Sequence, residues 1–239
     1  MVLAGIDGCK KGWLMVKHEQ GKYNYGVYEN IDDLATDNPD LKRSFIDIPI
    51  GLSSKGFMRT IDGVIRKELP GRSSTVFNPP CREALQFENY EQAKKENIRI
   101  EGKGISKQAF FISTKIKEVD DFLLQNNLEF EVFESHPELC FKYLNPAKEV
   151  LLTRKSTSEG AEERMAILKQ YDRNILSLYQ QILDNTKRSN VKKDDILDAI
   201  CLCIANRLSE KNNYSLLKDK NSVDLSGIEI KIAFHDVSK

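Results

Sequence analysis

The sequence lacks a net charge and any long apolar run. In 239 residues, 36 Lys+Arg balance 36 Asp+Glu, which excludes a histone-like or polybasic protein whose affinity rests on bulk charge. The longest unbroken apolar stretch, Ala199 to Ala205, is far too short to cross a bilayer. The first residues place an acid at position 7 and contain no basic leader, so we expect no signal peptide. These absences predict a cytoplasmic protein with no membrane partner.

The sequence also lacks a cysteine pattern for disulfides or zinc. Its five cysteines are an odd number, with no CxxC pair and no companion histidine spacing. We therefore expect reduced thiols, which are typical of intracellular proteins. A chain of this length buries enough surface to fold without such staples. Any metal ion should therefore serve chemistry.

The order of the predicted elements indicates an α/β fold with a mixed five-stranded sheet flanked by helices. Three short strands joined by tight turns come first, followed by a helix and a fourth strand that Pro49 ends. A helical and loop insertion packed on the core is predicted for 51–103, within a single domain spanning 1–239. One helix is expected over 106–125 and a fifth strand over 130–134, while 227–234 alternates like a late edge strand.

Three acids stand where the pattern predicts buried strand residues. Asp7 follows the apolar run of the first strand, Asp47 lies between two isoleucines, and Glu134 closes the fifth strand. Burying a carboxylate is costly unless something pairs with it. An arginine partner for Asp47 alone is an open alternative. Together the three acids indicate a shared partner.

The last predicted helix, over 194–210, carries two more acids on one side. Asp195 and Asp198 are three residues apart, in a segment that is otherwise mostly apolar. Like charges at this spacing repel, and a divalent cation between them would remove the repulsion. Hard oxygen ligands suit Mg²⁺ or Mn²⁺. The alternative is that Asp194 or Asp195 only caps the helix.

Six short segments are distinctive: 5–13 (GIDGCKKGW), 46–52 (IDIPIGL), 72–82 (RSSTVFNPPCR), 104–108 (GISKQ), 134–138 (ESHPE) and 194–199 (DDILDA). Together and in this order they resemble the family called domain of unknown function 429, whose members are described as predicted RNase H-like nucleases. The pair Asp195 and Asp198 also resembles the final-helix acids of Holliday-junction resolvases. The resemblance implies a ribonuclease H-like fold and a nuclease activity. One departure is that Asp47 stands where resolvases have a longer glutamate, which puts the spacing of two metals in doubt.

The leading hypothesis is Mg²⁺- or Mn²⁺-dependent hydrolysis of phosphodiester bonds. Asp7 would bridge two ions, with Asp47 on one side and Asp198, helped by Asp195, on the other. Glu134 would complete a coordination sphere or orient the attacking water. All five acids are therefore candidate catalytic residues, and Asp7, Asp47, Glu134 and Asp198 are candidate metal ligands.

Nucleic acid, either DNA or RNA, is the expected partner. Backbone contacts are expected from a locally basic stretch in this neutral chain, and its candidate residues are Arg72, Arg82, Lys103 and Lys107, with Ser106 and Gln108 as weaker candidates. An ordinary solvated face explains the same basic residues equally well. A resolvase-like function would also require a homodimer with a two-fold pair of sites.

Two other classes of function compete with the nuclease. One is a non-catalytic nucleic-acid or protein-binding module that keeps the fold, and it predicts tight binding without metal. The other is a phosphotransferase of the actin-like ATPase and sugar-kinase kind, because Asp7-Gly8-Cys9 resembles their phosphate loop. Such enzymes need two lobes, however, and we expect one lobe plus an insertion here.

Overall fold

The computed structural model describes residues 1–125, 128–211 and 213–238. These residues form seven strands: β1 Val2–Cys9, β2 Gly12–Glu19, β3 Lys22–Tyr28, β4 Leu41–Ile46, β5 Glu131–Glu134, β6 Ser215–Val223 and β7 Glu229–Phe234. They also form nine α-helices: α1 Ile31–Thr36, α2 Ile61–Glu68, α3 Tyr90–Glu101, α4 Lys107–Phe111, α5 Ser113–Gln125, α6 Pro137–Leu144, α7 Ser158–Leu168, α8 Ile175–Asn185 and α9 Lys193–Leu208. None of the helices in the described ranges has the length and apolar composition needed to cross a bilayer.

A single mixed sheet flanked by helices confirms the α/β class. Its strand order is β3-β2-β1-β4-β5-β7-β6. β1 to β3 form an antiparallel meander, while β4 and β5 run parallel to β1. The predicted count of five strands is wrong, because the described sheet has seven. The sequence pattern did not predict β6, because this strand is largely polar and exposed. The strand predicted at the edge, β7, lies inside the sheet between β5 and β6.

The chain divides into two compact units. Unit 1 comprises Met1–Asp47, Glu129–Leu216 and Ala233–Lys239, and unit 2 comprises Ile48–Leu128 and Leu217–Ile232. The predicted insertion over 51–103 lies within unit 2, which continues through α5. The interpretation as one domain with an insertion stays a prediction.

The core of unit 1 forms where α9 lies directly on β1. Along α9, every residue from Ile196 to Asn206 is buried. A Cβ atom at Gly5 would stand 2.4 Å from the Ala199 carbonyl oxygen and 2.1 Å from the Cys203 nitrogen, so only glycine allows this approach. The Asn206 side chain donates to the Ala4 carbonyl oxygen at 2.8 Å. The helix therefore runs antiparallel to β1, with its first turns toward Asp7.

Unit 2 is held together by buried ion pairs as well as by apolar packing. Arg59 contacts Asp62 at 2.9 Å and donates to the carbonyl oxygens of Ile50 and Gly51. The predicted helix over 106–125 is interrupted, because α4 ends at Phe111 and α5 begins at Ser113. This interruption leaves the Phe111 side chain 78% exposed.

Candidate functional site

Three of the predicted acids lie at the carboxyl ends of neighbouring parallel strands in unit 1. Asp7 is near the end of β1, Asp47 directly follows β4, and Glu134 is the last residue of β5. The Asp47 N–H donates to the Ile6 carbonyl oxygen at 3.0 Å, which continues the pairing of β1 and β4 beyond the end of β4. In sheets of this kind, ligands bind beyond the carboxyl ends of the strands. The strand geometry thus brings the three carboxylates to one edge.

The fourth acid comes from α9. Asp198 directly precedes Ala199, whose carbonyl group contacts β1 at Gly5. The Asp198 side chain is only 1% exposed. Asp195, one turn earlier, accepts a hydrogen bond from the Lys192 N–H at 2.8 Å. The N-cap residue of α9 is Lys192, so Asp195 supports the cap from the third helical position and is not itself the N-cap residue that the alternative expected. Its catalytic role stays a prediction.

The electrostatics indicate that these carboxylates share one space. Burial, followed by the negative charges of Asp47 and Asp198, holds the pKa of Asp7 well above its ordinary value. Burial likewise raises the pKa of Asp47 to about 7 and that of Asp198 to about 6. The charge of Glu134 adds to the shift at Asp47. We call Asp7, Asp47, Asp198 and Glu134 the carboxylate cluster.

One cation lies at this cluster. The Lys155 ammonium contacts the Asp198 Oδ2 at 2.5 Å and attracts Asp7 and Asp47 as well. Burial disfavours its charge, but the attraction of the three aspartates outweighs burial and raises the pKa of Lys155. By contrast, no arginine of the described residues pairs with these three aspartates. The ammonium of Lys155 therefore supplies part of the positive charge that these acids require, and a metal ion at the cluster stays a prediction.

The segment that carries Lys155 is held in place by neighbouring contacts. The Thr157 N–H donates to the Arg154 carbonyl oxygen at 3.0 Å, and the Thr157 hydroxyl accepts from Gly160 at the start of α7. Arg164 on the same helix is buried and pairs with Glu138 at 2.7 Å. Sequence reasoning missed Lys155, because a lone lysine in a polar segment has the pattern of a solvated loop.

One protein-family model matches most of the chain, including the carboxylate cluster and Lys155. The family described as "Protein of unknown function (DUF429)" matches residues 5–221. The chain belongs to this family. A search of the curated proteins found no match, and a search of the solved structures found none. The DUF429 description names no reaction, so the chemistry must be argued from the site itself.

The donor chemistry of the DUF429 site fits a hard divalent cation, but the arrangement is not that of a closed metal centre. All members of the carboxylate cluster offer oxygen ligands, which Mg²⁺ and Mn²⁺ prefer. Within the three described ranges, however, no group of three or more His, Cys, Asp or Glu side chains is arranged to hold a metal ion. The cluster as described is neutralised in part by Lys155. A cation could enter only if that ammonium moved aside.

The residues predicted to contact nucleic acid lie in unit 2, and their contacts differ. Arg82 pairs with Asp120 at 2.8 Å and with Asp224 at 2.6 Å, so its guanidinium has a structural role in this DUF429 protein. Ser106 caps α4 by accepting from the Ala109 N–H. The remaining candidates are Arg72, which is half-buried, and Lys103, Lys107 and Gln108, which are exposed. Their contacts with substrate stay predictions.

Proposed function

We propose that this DUF429 protein is a Mg²⁺- or Mn²⁺-dependent phosphodiester hydrolase that acts on nucleic acid. The observation that carries the proposal is that Asp198 pairs with the Lys155 ammonium, while Asp7 and Asp47, at the ends of the neighbouring strands β1 and β4, are attracted by the same ammonium and have no arginine partner among the described residues. Buried acids with raised pKa values are costly to the fold and cluster at functional sites. The acids at the ends of β1 and β4 and on α9, together with the strand order, also support a ribonuclease H-like fold.

In the proposed reaction, Asp7, Asp47 and Asp198 would hold the cation, and Glu134 would complete the coordination sphere or orient the attacking water. The cation would supply the attacking hydroxide and stabilise the leaving oxygen. The ammonium of Lys155 would then be available to bind a phosphate oxygen of the substrate. In this scheme the positive charge beside the carboxylate cluster comes from the Lys155 ammonium without metal and from the divalent cation with metal, so the acids are compensated in both states.

The test is cleavage of single-stranded, duplex, hybrid and branched DNA and RNA with Mn²⁺ or Mg²⁺. Asp7→Asn should lower the rate at least about 100-fold, since loss of even an outer-shell partner of a metal ligand costs 10- to 100-fold. Chelation of the metal should abolish cleavage. The matched control is Asp40→Asn, which makes the same change at an exposed residue before the opposite end of β4. Cleavage that survives Asp7→Asn, or no cleavage of any substrate by wild type, would refute the proposal.

The second candidate function is a binding module without turnover. The pairing of Lys155 with Asp198 favours it, because the cluster already has a cation of its own. It predicts nucleic-acid or protein binding that is indifferent to divalent metal and to Asp7→Asn. Sedimentation of the same preparations would test the predicted homodimer.

A further inference from the structure

A surface of unit 2 combines exposed aromatic rings with lysines. We define the α3–α4 surface as Tyr90 and Lys94 of α3 together with Lys103, Lys107, Phe110 and Phe111. Phe111 is 78% exposed, although burial of a phenylalanine side chain is normally a substantial source of stability. The fold therefore does not account for this residue.

The three rings form one continuous group. Tyr90 and Phe110 meet edge to face with centroids 5.4 Å apart, and Phe110 and Phe111 are 6.4 Å apart. The Tyr90 hydroxyl donates to the Ile105 carbonyl oxygen at 3.1 Å, which fixes the ring against the loop before α4. Tyr90 and Phe110 are thus held in place, and Phe111 extends the group into solvent.

Lysines accompany the aromatic rings at regular spacing. Lys94 is four residues after Tyr90 on α3, and its ammonium lies 5.8 Å from the centroid of that ring. Lys107 is four residues before Phe111 on α4, so the two side chains share a face of the helix. The Asn97 side chain donates to the Lys103 carbonyl oxygen at 2.8 Å, which keeps Lys103 beside α3.

The charge of this region departs from that of the whole chain. Between positions 94 and 117 there are seven basic residues (Lys94, Lys95, Arg99, Lys103, Lys107, Lys115, Lys117) and two acidic ones (Glu96, Glu101). Two of the basic residues are paired, Arg99 with Glu96 and Lys117 with Asp121 just beyond this stretch, so the excess charge rests on the remaining lysines. A chain with no net charge therefore concentrates positive charge around its most exposed aromatic side chain. This combination favours a polyanion that also presents flat apolar faces.

We infer that the α3–α4 surface binds single-stranded nucleic acid, with bases stacked on Phe111 and phosphates at Lys103 and Lys107. Exposed rings beside lysines bind unpaired bases in this way, whereas the bases of a duplex are already stacked on each other. As a statement about substrate class, the inference rests on the proposed function. As a statement about binding, it can be measured when no cleavage occurs.

The experiment measures binding of short labelled oligonucleotides to the full chain by fluorescence anisotropy, with EDTA present to prevent metal-dependent cleavage. Wild type should bind single-stranded DNA or RNA at least about tenfold more tightly than the matching duplex. Phe111→Ala should weaken binding by about 5- to 100-fold, the effect expected for losing one stacked base. Phe111→Tyr should restore binding, and Lys107→Gln should lower the salt dependence by about one counterion.

Two control variants lie on unit 2 outside the α3–α4 surface. Leu225→Ala removes another exposed apolar side chain, 65% exposed against 78% for Phe111, and Lys220→Gln removes an exposed lysine. Both should bind as wild type does. Equal affinity for single strands and duplexes would overturn the inference, and so would equal binding by Phe111→Ala and Leu225→Ala. Self-association in sedimentation that Phe111→Ala abolishes would instead identify the surface as a contact between copies of the chain.

The two proposals fail separately. If single strands bind through Phe111 in EDTA but no substrate is cleaved with metal, the binding surface stands and the hydrolase falls. If metal-dependent cleavage is lost in Asp7→Asn but Phe111→Ala binds and cleaves as wild type does, the hydrolase stands and the surface falls.

Discussion

Buried acids occur in both units of the protein, and the carboxylate cluster of unit 1 has surroundings opposite to those of the arginine-paired acids of unit 2. In unit 2, Asp62 pairs with Arg59 while Asp120 and Asp224 share Arg82. Burial opposes the charge on Asp224, but Arg82 and backbone N–H donors outweigh it and lower its pKa.

In unit 1, the ammonium of Lys155 pairs with Asp198 and attracts Asp7 and Asp47, and the pKa values of these three aspartates are raised. The difference separates acids that stabilise the fold from acids that weaken it. When a buried acid is paired with its own arginine, the ion pair offsets the cost of burial, and a structural role is a sufficient explanation. An acid that shares one cation with two others requires another explanation, and the proposed metal chemistry supplies it.

The largest expected effect lies in unit 2. Arg82→Met should lower the free energy of unfolding by about 3–5 kcal/mol, because it leaves two buried carboxylates without their partner. Chemical denaturation measures this loss, and Lys67→Met, at an exposed residue of the same unit, is the control. Adding Asp224→Asn should recover part of the stability. A loss no larger than that of the control would remove the contrast between the two units.

The next effect concerns Lys155. Lys155→Met should lower the free energy of unfolding of the metal-free protein by about 1 kcal/mol, because the Lys155 side chain is 39% exposed and solvent weakens its attraction to Asp198. The same variant should bind Mn²⁺ about tenfold more tightly in calorimetric titration, since the competing ammonium is gone. Lys187→Met, at an exposed lysine of unit 1, should change neither value. Weaker Mn²⁺ binding would mean that Lys155 supports the ion instead of competing with it.

The smallest effect is a pH dependence confined to the carboxylate cluster. The folded protein keeps protons on Asp47 up to about pH 7 and on Asp198 up to about pH 6, whereas the unfolded chain releases them near 3.8. The stabilising contribution of these protons is therefore present below about pH 4 and lost as the pH rises toward 7. His18 and His235, whose pKa values burial lowers, act in the opposite direction.

A comparison of variants isolates the part due to the cluster, because both histidines remain in each protein. Melting temperatures without metal should fall less between pH 4 and 7 in Asp47→Asn than in wild type. Asp40→Asn should follow wild type throughout. Mn²⁺ should raise the wild-type melting temperature most at the upper end of this range, where the carboxylates are charged. Parallel curves for Asp47→Asn and wild type would show that the raised pKa values do not affect stability.

The sequence alone identified the acids of the site but not their cation. Asp7 and Asp198 stood out because each interrupts an apolar segment, and such interruptions are visible as local patterns. Lys155 has no such pattern, since its role depends on a contact with Asp198 that spans 43 positions.

Arg82 was predicted to contact nucleic acid because a contact between residues far apart in the sequence leaves no local pattern. Its partner Asp224 is 142 positions away, and only the folded chain brings the two together. Local composition suggested a basic surface there, because the neighbouring lysines and arginines are close in sequence. Of the two additional strands, β7 was predicted as an edge strand, whereas β6 was missed because it carries charged and polar residues on an exposed strand and lacks the alternation that marks buried strands.

The close packing at Gly5 also matters for other DUF429 proteins. Because α9 touches the β1 backbone at Gly5, the separation between Asp7 and Asp198 depends on a residue that carries no chemistry itself. A relative that kept every acid but carried one added methyl group at this position would lose the arrangement on which the proposed activity depends. A search for inactive members should therefore compare the packing glycine as well as the aspartates.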